Sequence, residues 1–151
     1  MKYSEKISNK LNALLAKTYD AKKGYNLAME KVENPAIKKF LSGKVQQRTA
    51  FGQELKAEIQ KFGELPETDG SFKGDLHRAW MKLTSSLTGN EQERILEEVT
   101  RGEKASLKEY NEILSDGDTS LIPSTRDLLI RQRDAIEAAL KTSKTYEELV
   151  S

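Results

Sequence analysis

Glu103 is followed seven residues later by Tyr110, inside the stretch RGEKASLKEYNEIL (101–114). On a helix this spacing is about two turns, so both side chains share one face. A carboxylate turned into a helical bundle, with a phenol two turns on, is one arm of a centre for paired iron or manganese. The complete centre takes a Glu from each of two helices and a Glu-x-x-His pair from each of two others. Hard carboxylate oxygens bridge the cations, and each imidazole completes one of them.

Composition excludes the complete set. The chain has one histidine, His77, where two are required. It has no cysteine, which removes disulfides, thiolate metal sites and thiol catalysis. The formal net charge is +1 and the charges are interspersed, so no basic block invites nucleic acid or anionic lipid. The opening stretch MKYSEKISNKLNALLAK lacks the apolar core of a secretory signal. No run reaches the roughly 18 apolar residues of a membrane span. The expected location is the cytoplasm, with neither nucleic acid nor membrane as partner.

The elements that would position Glu103 are helical. With 36% hydrophobic and 32% charged residues, the 151-residue chain suits amphipathic helices in a single domain over 1–151. Leu11, Leu14, Thr18, Ala21, Tyr25, Ala28 and Val32 alternate steps of three and four, one helical stripe. Asn34-Pro35 restarts the chain, with Asn34 as N-cap. The second helix runs to about Phe62, with Phe40, Val45, Phe51, Leu55 and Ile59 among its apolar residues. Gly63, Pro66, Gly70 and Gly74 then break it. A shorter amphipathic segment follows, with Phe72, Leu76, Trp80, Leu83 and Leu87 on one face. Asn90-x-x-Glu93 reads as a capping box for the third long helix, whose stripe is Leu96, Val99, Glu103, Ser106, Tyr110 and Ile113. Pro123 marks an early turn of the fourth, expected to end near Thr142, with Thr145-x-x-Glu148 capping one more short turn. About 27 residues separate the second and third helices, enough to cross a bundle's length.

The chain also repeats itself. A shift of 85 residues lays the first helix on the third and the second on the fourth. Tyr25 falls on Tyr110, Thr18 on Glu103, and Gln47-Arg48-x-Ala50 on Gln132-Arg133-x-Ala135. Two helical hairpins of one plan are implied.

The runs DAKKGYNLAMEKVENPAIKKF, QQRTAFGQEL, LHRAWMKL and RGEKASLKEY resemble an uncharacterised bacterial four-helix-bundle family, a domain of unknown function in the ferritin and rubrerythrin superfamily. The resemblance spans about Leu11 to Lys141 and implies an all-α, ferritin-like bundle with one long crossover carrying a short extra helix. It carries no established activity.

On that plan the ligand positions are Thr18, Gln47, Ala50, Glu103, Gln132 and Ala135, of which Glu103 alone holds a carboxylate. A lone carboxylate leaves the charge of two divalent ions uncompensated in low dielectric. The expectation is therefore a bundle without metal or other cofactor and without enzymatic activity: a structural or interaction module that self-associates, a dimer being one form. Thr18, Tyr25, Gln47, Glu103, Tyr110 and Gln132 are expected to form a polar layer where the metals would lie. The alternative is a metal-dependent oxidase or metal-storage protein using a non-standard carboxylate site around Glu103 and Glu54, with Asp20, Glu58, Glu98 and Glu137 as further carboxylates. Arg48 and Arg133 are expected at the surface or ion-paired, His77 as structural, and Trp80 packed on the bundle.

Overall fold

The computed structural model describes residues 2–68, 78, 81–82, 92–117 and 120–150. Among them are four long helices and no strand: α1 (Tyr3–Lys31), α2 (Pro35–Lys61), α3 (Gln92–Leu114) and α4 (Pro123–Val150). Most of the expected crossover helix, with His77 and Trp80, lies outside the described residues; Arg78, Met81 and Lys82 are helical.

The boundaries follow local chemistry. Asn34 caps α2, its side-chain oxygen accepting from the backbone N–H of Ala36 (2.8 Å) and Ile37 (3.3 Å), with Pro35 at the first helical position. At the other end, Gly63 takes φ +77°. Its N–H bonds Gln60 O, and the N–H of Glu64 bonds Ile59 O, the paired closure that a left-handed residue permits. The fourth helix does not stop near Thr142. It continues to Val150, and Thr142 and Thr145 bond back to Ala138 O and Lys141 O and do not cap a new turn. No Gly or Pro interrupts it, and Tyr146 and Val150 find apolar contacts beside Ile37, Leu41 and Ile95.

Topology can be read from side-chain pairs. Lys10 pairs with Asp116, Lys17 with Glu109 and Tyr25 with Glu103, so α1 and α3 are antiparallel. Phe40 stacks on Tyr146, Glu54 pairs with Arg131 and Glu58 bonds Thr125, so α2 and α4 are antiparallel too. With α1–α2 and α3–α4 as tightly packed hairpins, α2 and α3 run in the same direction. The chain between them must return the length of the bundle, the ferritin-like connectivity expected from the sequence.

The core has two apolar halves. One gathers Ile7, Leu11, Leu15, Leu55, Ile59 and Leu129; the other gathers Ala28, Ile37, Leu41, Ile95, Leu96 and Val99. Glu103 lies between them in sequence and is fully buried.

Candidate functional site: a buried carboxylate held by two cations

The α1 stripe is buried as its periodicity predicts, from Leu11 through Thr18 and Tyr25 to Val32. Of the apolar residues named on α2, Phe51, Leu55 and Ile59 are buried. Its buried residues include Ile37, Leu41, Lys44, Arg48, Phe51, Leu55 and Ile59, while Phe40 and Val45 flank them. Two cations, one turn apart, therefore sit in the core-facing row of α2. Arg48 is 2% exposed and Lys44 3%.

Both point at Glu103. Nη2 of Arg48 donates to Oε1 and Oε2 of Glu103 at 3.0 and 3.1 Å. The Lys44 ammonium donates to Oε1 at 3.2 Å. The Tyr25 hydroxyl donates to the same oxygen from α1. Three helices thus converge on one carboxylate. Aromatic faces line the cations: Arg48 lies 5.5 Å from the Phe51 ring centroid, and Lys44 lies 4.9 Å from that of Phe40. Such contacts offset part of the cost of burying positive charge.

The electrostatics follow. Burial alone would raise the Glu103 pKa, but the charges of Arg48 and Lys44 and the Tyr25 hydroxyl hold it below the usual carboxylate range. Burial lowers the Lys44 pKa, and the attraction of Glu103 only partly offsets this. Burial and the adjacent carboxylate push the Tyr25 phenol well above its ordinary value. The centre holds two cations and one anion.

The hydrogen bonds of the six residues expected in one polar layer fall into two groups, with Thr18 in neither. Tyr25 joins Glu103. Gln47 is half-buried and accepts from Nη1 of Arg48 at 2.9 Å, touching the centre only at its edge. Thr18 is buried but its hydroxyl bonds Leu14 O of its own helix. Tyr110 donates to Gln132 Oε1 at 2.6 Å, forming a second cluster. There the Gln132 amide reaches Phe51 O at 3.4 Å and Glu54 Oε1 at 3.3 Å, and Glu54 is ion-paired with Arg131. Glu54 therefore belongs to the Gln132 cluster, separate from the bonds around Glu103. Ala135 is packed against the apolar core and Ala50 is exposed. Among the described residues, no group of three or more His, Cys, Asp or Glu is placed to hold a metal.

The repeat explains the asymmetry. It aligns Arg48 with Arg133, yet Arg48 is buried and Arg133 is half-buried on Asp134 and Asn111. A buried cation needs a counterion opposite it. Glu103 provides that on α3, and Thr18, its counterpart on α1, does not. Tyr110 correspondingly has no carboxylate opposite and bonds Gln132 instead. Beside Thr18, Arg48 and Tyr110 lies a cavity of about 10 Å³, room for about one water.

This donor set does not fit a di-metal centre. Both oxygens of Glu103 already accept hydrogen bonds from the protein, and any added cation would meet Lys44 and Arg48 as like charges. Sequence reasoning missed Lys44. The signal was present: reading back from Leu55 in steps of four and three gives Phe51, Arg48, Lys44, Leu41 and Ile37.

Comparison with known proteins agrees with this architecture. The family model described as "Domain of unknown function (DUF2383)" matches residues 6–116. No curated protein matches the sequence. Among solved structures, a point mutant of Mycobacterium smegmatis Dps1 superposes with a TM-score of 0.77 at 14% identity, covering 97% of both chains. A C-terminal deletion mutant of Mycobacterium smegmatis Dps gives 0.72 at 12% identity, covering 93% of this chain and 96% of the other. Mycobacterium smegmatis Dps gives 0.73 at 13%, covering 94% and 81%. At these identities the likeness shows the ferritin-like fold alone.

Proposed function

We propose a non-enzymatic role for this chain, which belongs to the family described as a domain of unknown function (DUF2383). In this reading it is a cytoplasmic structural or interaction module that self-associates. The ferritin-like scaffold is retained, and the place of the metal pair is taken by the protein's own cations.

One observation carries the reading. The carboxylate at the ligand position, Glu103, accepts hydrogen bonds from Lys44, Arg48 and Tyr25 and is fully buried. A ligand must offer free lone pairs to a cation, and here the competing positive charges are covalently attached. Glu54, the second carboxylate of the metal-binding alternative, is engaged with Arg131 and Gln132, which speaks against that alternative.

The test is metal analysis of protein purified with added iron and manganese, beside Glu103→Ala. The expected result is substoichiometric metal in both. Near-stoichiometric metal that disappears in Glu103→Ala would overturn the proposal.

A further inference from the structure

A groove of about 460 Å³ opens between α2 and α4, lined by Lys39, Phe40, Gly43, Lys44, Thr142 and Tyr146 among others. Two features of it have no explanation within the chain. The first is Gly43. It lies in the interior of α2, where glycine weakens a helix relative to alanine. A Cβ built at this position meets no atom within 4 Å. The chain's own packing therefore imposes no need for glycine here. Its effect is to leave the groove floor open, so that something outside the chain can approach the α2 backbone closely.

The second feature is charge. Lys39 stands exposed at the rim, Lys44 lies in the floor, and none of the described residues lining the groove is a carboxylate. The ammonium of Lys44 shares its one counterion, Glu103, with Arg48. At this centre two cations therefore share one carboxylate within ion-pair distance. Buried charge is costly unless compensated, and an anion seated in the groove would supply a second negative charge. Two aromatic rings stand on one side of the groove. Phe40 and Tyr146 stack with centroids 4.5 Å apart and an interplanar angle of 28°. The dimensions suit a small molecule, since ligand sites span roughly 300–1,000 Å³.

We infer that the groove over Gly43 binds a small organic carboxylate with a flat apolar body. The carboxylate faces Lys39 and the field of Lys44, with the Gln47 amide, which also lines the groove, within the same recess. The apolar body lies along the Phe40–Tyr146 wall, over the bare backbone at Gly43. The groove shares Lys44 and Gln47 with the Glu103 centre, and whether that centre binds metal is read separately, by metal analysis.

Naphthalene-2-carboxylate is a suitable probe, with the neutral 2-naphthalenemethanol as its control, both titrated calorimetrically. The carboxylate should bind at one site, with the alcohol about ten-fold weaker or worse, the scale of one charge-assisted hydrogen bond. Gly43→Leu fills the groove and favours the helix, so it should keep the fold by circular dichroism and abolish binding. Lys39→Gln should weaken the carboxylate several-fold and leave the alcohol unchanged. Equal binding of the two probes would overturn the inference. So would binding that survives Gly43→Leu, or no saturable binding of the carboxylate up to about 1 mM. Sedimentation of the same proteins adds one more outcome: a wild-type dimer that becomes monomeric in Gly43→Leu would make a second copy the occupant and overturn it equally.

Discussion

Replacing Glu103 by Gln removes the one anion that faces Lys44 and Arg48, while nearly preserving shape. Two buried cations, 3% and 2% exposed, then face no negative charge. Breaking a buried ion pair by removing one partner costs about 3–5 kcal/mol, because the remaining charge stays desolvated. Total stability of a domain is only about 5–15 kcal/mol. At this chain length each kcal/mol shifts the melting temperature by roughly 2–4 °C, so a fall of roughly 6–20 °C is expected. Urea unfolding at pH 7, followed by helix circular dichroism, measures the loss directly.

Two further arms make the reasoning refutable. A charge-free centre, Tyr25→Phe, Lys44→Met, Arg48→Met and Glu103→Leu together, removes every group that needs a partner. It should lie within about 2 kcal/mol of wild type, since apolar replacement of a whole buried ion cluster is often neutral or stabilising. The pH arm follows from the depressed pKa of Glu103. Its folded value lies below the unfolded value of about 4.3, so its stabilisation is complete above that pH and is lost as pH falls through the folded value. Wild type should therefore approach Glu103→Gln in stability as pH drops below about 4. A Glu103→Gln loss under about 1 kcal/mol, or a charge-free variant as unstable as the single one, would refute the account.

Other outcomes follow from the same structure. Burial pushes the phenols of Tyr25 and Tyr110 up, so both stay neutral in the fold after an unfolded chain would ionise. Stability should fall as pH rises above about 10, and absorbance at 295 nm should show these two of five tyrosines titrating only with unfolding. Burial alone would raise the Glu58 pKa, but hydrogen bonds from Thr125 and Ser124, with the Lys61 ammonium, hold it low. Glu58→Ala should cost about 1–3 kcal/mol by urea unfolding near neutral pH, chiefly by loosening the start of α4 from the end of α2. Gly43→Ala should gain about 1 kcal/mol and Gly63→Ala should lose about as much, because Gly43 is helical in open space and Gly63 needs φ +77°.

The fold was largely legible in the sequence, for reasons that particular residues make plain. The α1 stripe carries mostly apolar residues, so its period alone identified the buried face. Asn34-Pro35 announced the start of α2 by capping chemistry. The end of α4 was misjudged because Thr145-x-x-Glu148 has the form of a cap. Whether a threonine caps or bonds back depends on packing further along, and Tyr146 stacks on Phe40, a residue more than a hundred positions away. The centre was harder still. Arg48 and Lys44 sit on an apolar period, but long cations on helices usually lie along the surface with their heads in water. Only knowledge that α3 presents Glu103 opposite them makes their burial reasonable. The repeat added a false lead: it made Gln47 and Gln132 equivalent, whereas the difference between Thr18 and Glu103 separates their environments.

That single difference accounts for most of what distinguishes this bundle. A metal pair brings four positive charges and needs several carboxylates arranged around it. Here Glu103 faces two positive charges, both on side chains of α2. One carboxylate and one phenol then suffice to hold three helices in register, and no second carboxylate is required from α1. The same economy leaves one carboxylate shared by two cations. Glu103 cannot neutralise both cations, and of the two it is Lys44 that also lines the groove between α2 and α4. The bundle's interior charge and its open surface groove therefore meet at one residue. Filling the groove at Gly43 and emptying the centre of charge are separate perturbations, and both should change how the protein responds to an organic anion.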